Sequence, residues 1–522
     1  MSRSIFAVAL LAVCLPGQTR RTNTFELSPA EGWAEVEWVS TSTFRYSRAW
    51  GAAPGKSRRV SAERVDVTVE DLGERIRFKT GYLTVEVDKS GNRIDVTSSG
   101  GRRTWAVFTR ADGVVRMESG VSATERFYGL GPHTGANLDR RGSVVETRRP
   151  FLVSTRGYGE YFRTPGTYRF DLGSTDKEIR RVTVPGDRIE YFYYHGPTPK
   201  QIMEEHYEAT GEYEDFGTKE LAVRKAAAAP AAASWEDLRK TVYRLQHESM
   251  SGMQVPEFNL APYQAAGGGV YERAAQLAAF IPLAGATSDT RAPYRSMQTW
   301  RTRLVPYMLA YGYEVATRGI PVIHPLVMQF PKDAEAWKYT DEFMVGDELL
   351  VAPVLGNVDS VQVYFPQGIW TDLRTNKTYN GRQVATVPVV PGEMPIFVRN
   401  GSILPLAAAE AGGPMELHYF PKLAAEFFLY EEDLRDISQV HAAPAGEFMR
   451  LETESLKART YEWVVHHSPP CRKVEMGTKL FVQVSSRDRL APGRWFYDKA
   501  SGNLHVRVRA AAGGDEIVNI SF

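Results

Sequence analysis

The chain has 522 residues, of which 43% are hydrophobic and 24% are charged, and its formal net charge is +1. These fractions are ordinary for a soluble globular protein, and the length allows roughly two to four domains. The near-zero charge argues against a nucleic-acid partner, because such proteins carry a basic surplus on one face.

The N-terminus reads as a secretory signal peptide, assigned to residues 1–17. Arg3 supplies a positive charge, and an apolar run over residues 5–15 is too short to span a bilayer. The mature protein is therefore expected in the periplasm or outside the cell. The sequence Leu-Ala-Val-Cys ending at Cys14 makes a lipid anchor the less favoured alternative.

Residues 25–196 predict an N-terminal β-sandwich. Over Arg75–Val96, apolar residues alternate with polar ones, and Lys89–Asn92 reads as a turn between two strands. Glycine and proline recur at loop positions throughout the segment. Each of these short strands has one apolar face to bury. Two sheets that pack face to face in a sandwich bury all of these faces in one core.

Helical segments begin near residue 197. Thr198 followed by Pro199 and Gln201 predicts a capped helix start, and Ser234 predicts another. An apolar stripe over residues 304–315 predicts a third helix. Because short apolar segments lie between these helices, residues 197–347 resemble part of a (β/α) barrel in pattern.

The chain returns to a strand pattern after residue 347. We predict a proximal C-terminal β-domain over residues 348–410 and a distal one over residues 411–522. The whole fold is therefore multidomain, β plus α/β.

Three groups of motifs occur in a fixed order. They are Glu125–Gly131, Leu138–Gly142, Pro150–Gly159 and His195–Lys200; then Ser234–Arg239, Phe280–Pro282, Arg291–Pro293 and 303–312; then Asp341–Pro353, Val363–Trp370 and Pro395–Ser402. In this order and spacing they resemble glycoside hydrolase family 31, the α-glucosidase and α-xylosidase family. The resemblance covers roughly residues 120–211 and 234–410.

The resemblance implies a sandwich, a catalytic (β/α)₈ barrel with its site at the carboxyl ends of the strands, and C-terminal β-domains. It also implies an oligosaccharide or glycoside ligand. We expect no cofactor and no metal, because the sequence contains no glycine-rich phosphate loop and no zinc-ligand spacing. A complete barrel needs about 250 residues and rarely fewer than 200. Residues 211–350 supply 140. We therefore expect a truncated barrel that retains the last strands.

Retaining glycosidases need two carboxyl groups about 5 to 5.5 Å apart. The resemblance places the acid/base aspartate of a Trp-x-Gly-Asp segment on Pro230, so no acid/base residue is found. It also places a family Asp-Ile-Gly-Gly-Phe segment on Asn259–Tyr263, and a family Arg-x-His pair on Gly285 and Thr287. Proline cannot transfer a proton.

Asp215 is the candidate nucleophile, and an acidic surface turn is its alternative. Candidate substrate contacts are Asn259, Trp235 and His324, with a core or rim role as the alternative for His324. A further set of residues has structural interpretations: Asp237 as a helix cap, Glu257 as an exposed loop residue, Asp341 and Asp347 as structural carboxylates, and His466 and His467 as neighbours pointing to opposite faces.

The sequence therefore predicts a carbohydrate-active protein resembling retaining α-glycosidases, with weak or lost activity. One alternative is a non-catalytic carbohydrate-binding protein. Another is a subunit that needs a partner, or self-associates, to complete its barrel. We expect no two carboxyl groups within about 6 Å at the carboxyl ends of the retained strands.

Overall fold

The computed structural model describes residues 19–20, 23–51, 64–214, 216–229 and 231–522. The described residues divide into two compact units, one within residues 19–131 and 139–211 and the other within residues 132–138 and 212–522. The signal peptide and Cys14 lie outside the described residues. Within the described residues, no helix is both long and apolar enough to cross a bilayer.

The first unit is formed mainly by strands. They are β1 (Thr19–Arg20), β2 (Thr24–Leu27), β3 (Trp33–Trp38), β4 (Thr43–Ala49), β5 (Val67–Asp71), β6 (Arg75–Lys79), β7 (Leu83–Asp88), β8 (Arg93–Ser98), β9 (Arg103–Ala111), β10 (Val114–Gly120), β11 (Phe127–Gly129), β12 (Val144–Thr147), β13 (Phe151–Ser154), β14 (Tyr158–Phe162), β15 (Tyr168–Asp176), β16 (Ile179–Pro185) and β17 (Arg188–His195). Helix α1 (Pro199–Thr210) follows them.

These strands form two antiparallel sheets. One has the order β1-β5-β6-β7-β8-β9-β10-β16-β15-β12, and the other β11-β13-β14-β17-β4-β3-β2. Leu83, Val85 and Val87 of β7 are buried while their neighbours are not, as the alternating pattern predicts. Side chains of both sheets share one hydrophobic core, so the unit is a β-sandwich.

The second unit begins with helices and short strands. They are α2 (Thr218–Leu221), β18 (Arg224–Lys225), α3 (Trp235–Met250), β19 (Glu257–Asn259), α4 (Ala261–Ala266), α5 (Gly268–Ala278), β20 (Leu283–Ala286), α6 (Ala292–Arg318), β21 (Ile323–His324) and α7 (Leu326–Gln329). Strands β18, β20 and β19 pair in parallel in that spatial order, and we call them the parallel sheet. In the described residues this sheet does not close into a barrel.

The rest of the second unit consists of strands and one 3₁₀ turn at Arg487–Arg489. The strands are β22 (Phe343–Val345), β23 (Leu349–Val351), β24 (Ser360–Phe365), β25 (Ile369–Asp372), β26 (Thr378–Asn380), β27 (Gln383–Pro388), β28 (Ile396–Arg399), β29 (Ser402–Leu406), β30 (Met415–Phe420), β31 (Ala425–Glu431), β32 (Asp436–Ala445), β33 (Phe448–Ser455), β34 (Arg459–Val465), β35 (Lys473–Met476), β36 (Lys479–Leu480), β37 (Val482–Gln483), β38 (Arg494–Asp498), β39 (Asn503–Ala510) and β40 (Gly514–Ser521).

These strands form four sheets within the described residues. Their orders are β21-β22-β23-β28-β25-β26, then β24-β27, then β29-β30-β34-β39-β38-β37, and β31-β32-β33-β40-β35-β36. The last two sheets share a core with α3, α5 and α6. Strand β21 lies in the segment 197–347 that the sequence predicts as part of a barrel. It pairs antiparallel with β22 and so belongs to the first of these sheets.

Candidate functional site

The parallel sheet has one apolar face and one polar face. Phe258 of β19 and Ala286 of β20 lie in the hydrophobic core of the second unit. Arg224 and Asn259 both stand opposite Gly285 in the register, so the three residues share the other face. Arg224 and Asn259 are exposed. Parallel sheets are usually covered on both faces, and here one face is open to solvent.

A cavity of about 430 Å³ lies over this polar face, and we call it the sheet-face groove. It is lined by Arg224, Lys225, Ala226, Arg244, Glu257, Asn259 and Gly285. A second cavity of about 380 Å³ shares Arg244 and Asn259 in its wall and extends past Asp237 to Tyr263. The second cavity is near the carboxyl end of β19, since Asn259, Pro262 and Tyr263 line it. In α/β proteins ligands bind at the carboxyl ends of the strands.

Charges in the sheet-face groove are mainly positive. Arg244 donates to the Glu248 carboxylate at 2.6 and 2.7 Å and to the Glu257 carbonyl at 2.7 Å, which fixes its guanidinium in the wall. Among the described residues, Arg224 and Lys225 form no ion pair. Glu257 supplies the carboxylate of the groove, and its side chain is exposed.

Asp237, in the wall of the second cavity, caps helix α3. Its carboxylate accepts from the Ser234 backbone N–H at 2.8 Å and from the Ser234 hydroxyl at 2.7 Å, while Ser234 Oγ accepts from the Asp237 N–H at 3.2 Å. These hydrogen bonds lower the pKa of Asp237. A carboxylate held ionised in this way is unsuited to donate a proton as a general acid.

Asp289, which sequence analysis missed, is held near the carboxyl end of β20. Its carboxylate accepts from Arg291, from the Tyr271 hydroxyl at 2.6 Å and from Gln264 Nε2 at 3.1 Å. Hydrogen bonds from Arg291 hold the pKa of Asp289 well below its usual range, despite partial burial that opposes the shift. Its oxygens are occupied, so Asp289 orders the loop rather than serving as an acid.

The other predicted site residues are dispersed. Asp215 and Pro230 lie outside the described residues. Trp235 is half-buried and packs against the hydrophobic core of the second unit. His324 is buried in β21, with Nδ1 3.1 Å from the Pro321 carbonyl. Asn259 alone of the described substrate-contact candidates lines the groove.

Asn259 and Thr287 are both fixed by local hydrogen bonds. Asn259 Oδ1 accepts from the Ala261 N–H at 3.0 Å, at the start of α4. Thr287 donates its backbone N–H and its hydroxyl to Gln264 Oε1 at 2.8 and 2.9 Å. The polar groups at these strand ends are therefore used to join strands to helices.

Two other candidate groups lie away from the groove. The Asp341 carboxylate accepts from Tyr243 at 2.6 Å and from Arg239 at 3.2 Å. His466 is buried and stacks on Phe420 at 4.0 Å, whereas His467 is exposed. Among the described residues, no group of three or more His, Cys, Asp or Glu side chains is arranged to hold a metal.

Comparison with known proteins shows which family model and which proteins the chain resembles. Residues 319–404 match the glycosyl hydrolase family 31 C-terminal domain. The chain is 35% identical over 108 residues to neutral alpha-glucosidase AB of Mus musculus, a match covering 20% of this chain and 11% of that protein. It is 27% identical over 329 residues to a probable alpha-glucosidase of Oryza sativa subsp. japonica, covering 55% and 36% respectively.

Among solved structures, a GH31 dextranase of Flavobacterium johnsoniae complexed with glucose matches with a TM-score of 0.81 at 15% identity. That match covers 97% of this chain and 99% of the dextranase chain, and it shows the fold. The fold and these matches define a multidomain chain that is similar to carbohydrate-active proteins. Residues 319–404 therefore resemble the C-terminal domain of glycoside hydrolase family 31, and the chain shares its fold with a solved member of that family. The matched regions span 11% of the Mus musculus protein and 36% of the Oryza sativa protein.

Proposed function

We propose that this protein is a carbohydrate-binding member of family 31 whose hydrolytic activity is weak or lost. The proposal is carried by the lining of the groove and its neighbouring cavity. Their described carboxylates are Glu257 and Asp237, and the capping hydrogen bonds of α3 occupy Asp237. No carboxyl pair suited to retaining chemistry is supplied by these two residues.

The expected loss of rate is large. General acid assistance contributes about 10² to 10⁴ in rate. A complete barrel also positions the substrate, which is worth up to about 7 to 11 kcal/mol of the barrier. A lone Asp215 nucleophile would offset neither loss.

Turnover of aryl α-glucosides and aryl α-xylosides tests the proposal. We expect negligible rates for the wild type, for Asp215→Ala and for Glu257→Gln. Turnover near about 1 per second that Asp215→Ala abolishes would make Asp215 the nucleophile and overturn the proposal. Asp359→Ala is the matched control, because Asp359 lies in an exposed turn away from the groove.

Binding is measured separately from turnover. Calorimetric titration with methyl α-D-glucoside and with malto-oligosaccharides should detect a complex in the millimolar range or tighter. An absence of binding to any glycoside would remove the carbohydrate-binding part of the proposal. We further propose that the signal peptide of residues 1–17 directs the protein to the periplasm or the cell exterior, which fractionation of the expressing cells would test.

The alternative of a subunit that completes its barrel with a partner rests on the free edges of the parallel sheet. Edge residues Arg224, Lys225, Glu257 and Asn259 are exposed and polar. Charged residues on a sheet edge oppose edge-to-edge pairing. We therefore expect a monomer by light scattering, and a dimer disrupted by salt would favour the partner alternative.

A further inference from the structure

The sheet-face groove differs from a site for a neutral sugar in its charge. Arg224, Lys225 and Arg244 line it, with Glu257 as the one lining carboxylate among the described residues. Arg244 is bound to Glu248, whereas Arg224 and Lys225 have no ion pair in the described part of the chain. An unpaired cation at the mouth of a concave surface attracts an anionic group.

The floor of the groove carries no side chain at Gly285. Gly285 lies between Arg224 and Asn259 in the register. A Cβ atom built on Gly285 would meet its nearest neighbour, Ala226 Cβ, at 3.6 Å, an ordinary contact distance. The glycine therefore leaves space above the sheet that a side chain would otherwise fill.

Asn259 presents a hydrogen-bond donor beside this floor. Its Oδ1 is bound to the Ala261 N–H. In the described residues its amide nitrogen has no protein acceptor, so it is available to a hydroxyl oxygen of a ligand. The groove thus combines one neutral donor, the amide of Asn259, with one unpaired cation, Arg224, on the same face of the sheet.

We infer that the sheet-face groove binds an anionic carbohydrate, whose carboxylate pairs with Arg224 while its hydroxyl groups meet Asn259 on the same face of the sheet. This inference rests on the proposed carbohydrate-binding function and specifies its ligand class. A guanidinium engages a carboxylate through two parallel hydrogen bonds, which favours Arg224 as the main contact.

A matched pair of ligands tests the inference. Methyl α-D-glucuronide and methyl α-D-glucoside differ at C6, which carries a carboxylate in the first and a hydroxymethyl group in the second. We expect the glucuronide to bind about tenfold more tightly, as one charge-assisted contact gives. This preference should shrink as salt is raised from about 0.05 to 0.5 M, because salt screens exposed charges.

Variants locate the contact. Arg224→Gln should weaken glucuronide binding about tenfold and so remove its advantage over the glucoside, and Arg224→Lys should retain part of the preference. Arg295→Gln removes the same charge from an exposed position on α6 and should change neither. Circular dichroism of each variant verifies that the fold is retained.

The outcomes separate the two proposals. Equal affinity for both methyl glycosides overturns the inference and leaves the proposed function standing, whereas failure of both to bind overturns both. Inorganic sulfate that displaces the glucuronide at equal concentration would show a bare anion site and also overturn the inference. Methyl α-D-glucoside 6-sulfate binding more tightly than the glucuronide would overturn the assignment to a carboxylate.

Discussion

The β-sandwich and the parallel sheet differ in how they bury their strands. In the sandwich, two long antiparallel ladders enclose one core, and adjacent strands in the chain are mostly adjacent in space. The parallel sheet buries Phe258 and Ala286 on one face and leaves Arg224 and Asn259 on the other in solvent. A sandwich is completed by its own neighbouring strands, whereas a barrel depends on strands far apart in sequence.

The largest difference between the segment 212–233, which includes β18, and the sandwich is expected in their sensitivity to proteases. The stretch 212–233 contains α2, β18 and exposed residues such as Ala227 and Ala231, whereas the sandwich strands are held in continuous ladders. Local opening of weakly packed segments costs little free energy compared with unfolding a core. Cleavage by a broad-specificity protease should therefore be about a hundredfold faster within 212–233 than within the sandwich.

Mass spectrometry of timed digests provides the measurement. Fragments ending between residues 212 and 233 should accumulate first. First cuts inside β7 or β16 would show instead that the sandwich is the less stable region.

The buried ion pair of the sandwich should be the most sensitive contact in that unit. Arg180 donates to both Glu160 oxygens at 2.5 and 2.6 Å, and both side chains are at least 96% buried. Arg180→Met leaves the Glu160 carboxylate buried without its partner and should cost about 3 to 5 kcal/mol of unfolding free energy.

Urea unfolding measures this cost. The double variant Arg180→Met/Glu160→Met should recover most of the lost stability, because it removes both buried charges. As a matched control, Arg239→Met breaks the pair with Asp341, whose members are 39% and 54% exposed, and should cost about 1 kcal/mol or less. Equal costs for the two single variants would contradict the difference in burial.

The sandwich unit should also lose stability in acid through His206. Burial lowers the pKa of His206 to about 3, and its ring stacks on Phe151 at 4.4 Å. The folded state therefore keeps a neutral imidazole, while the unfolded chain protonates near pH 6.5. Below that pH the unfolded state binds one more proton, so unfolding free energy should fall by about 1.4 kcal/mol per pH unit down to about pH 3.

A pH series of urea unfolding curves for the wild type and His206→Phe tests this slope. The variant has no titrating ring and should lack this contribution. If both proteins show the same slope between pH 6 and 4, His206 is not the source of the acid sensitivity.

Removal of a helix cap should have the smallest effect on stability, and the effect should be similar in both units. Ser234 caps α3 in the second unit, and Thr198 caps α1 in the first by accepting from the Gln201 N–H at 3.3 Å. Ser234→Ala and Thr198→Ala should each cost about 1 kcal/mol. Hydrogen exchange of the first-turn amides measures each loss, and a tenfold change in exchange corresponds to about 1.4 kcal/mol.

Local features of the chain were accessible from sequence. The caps at Thr198 and Ser234 and the hairpin turn Lys89–Asn92 all depend on residues close in sequence. Alternating apolar residues were sufficient to predict the sandwich strands, because one buried face sets the register.

The arrangement of the site was less accessible. Strand β18 pairs with β20 and not with β19, the next strand in the chain. This pairing joins residues that are far apart in sequence, and no local pattern specifies it. Asp289 was missed because its partners Gln264 and Tyr271 come from two different helices. A signal existed in the Asp-x-Arg spacing of Asp289 and Arg291, where the arginine returns to the carboxylate.

The strand order of the parallel sheet limits how a complete barrel could be rebuilt on this chain. Strand β20 is hydrogen-bonded on one side to β18 and on the other to β19, so neither of its edges can accept a new strand. Added strands can join only outside β18 or β19, unless β18 is first detached from β20. A chimera carrying transplanted barrel strands before residue 224 must therefore break an existing ladder or extend the sheet from its outer edge.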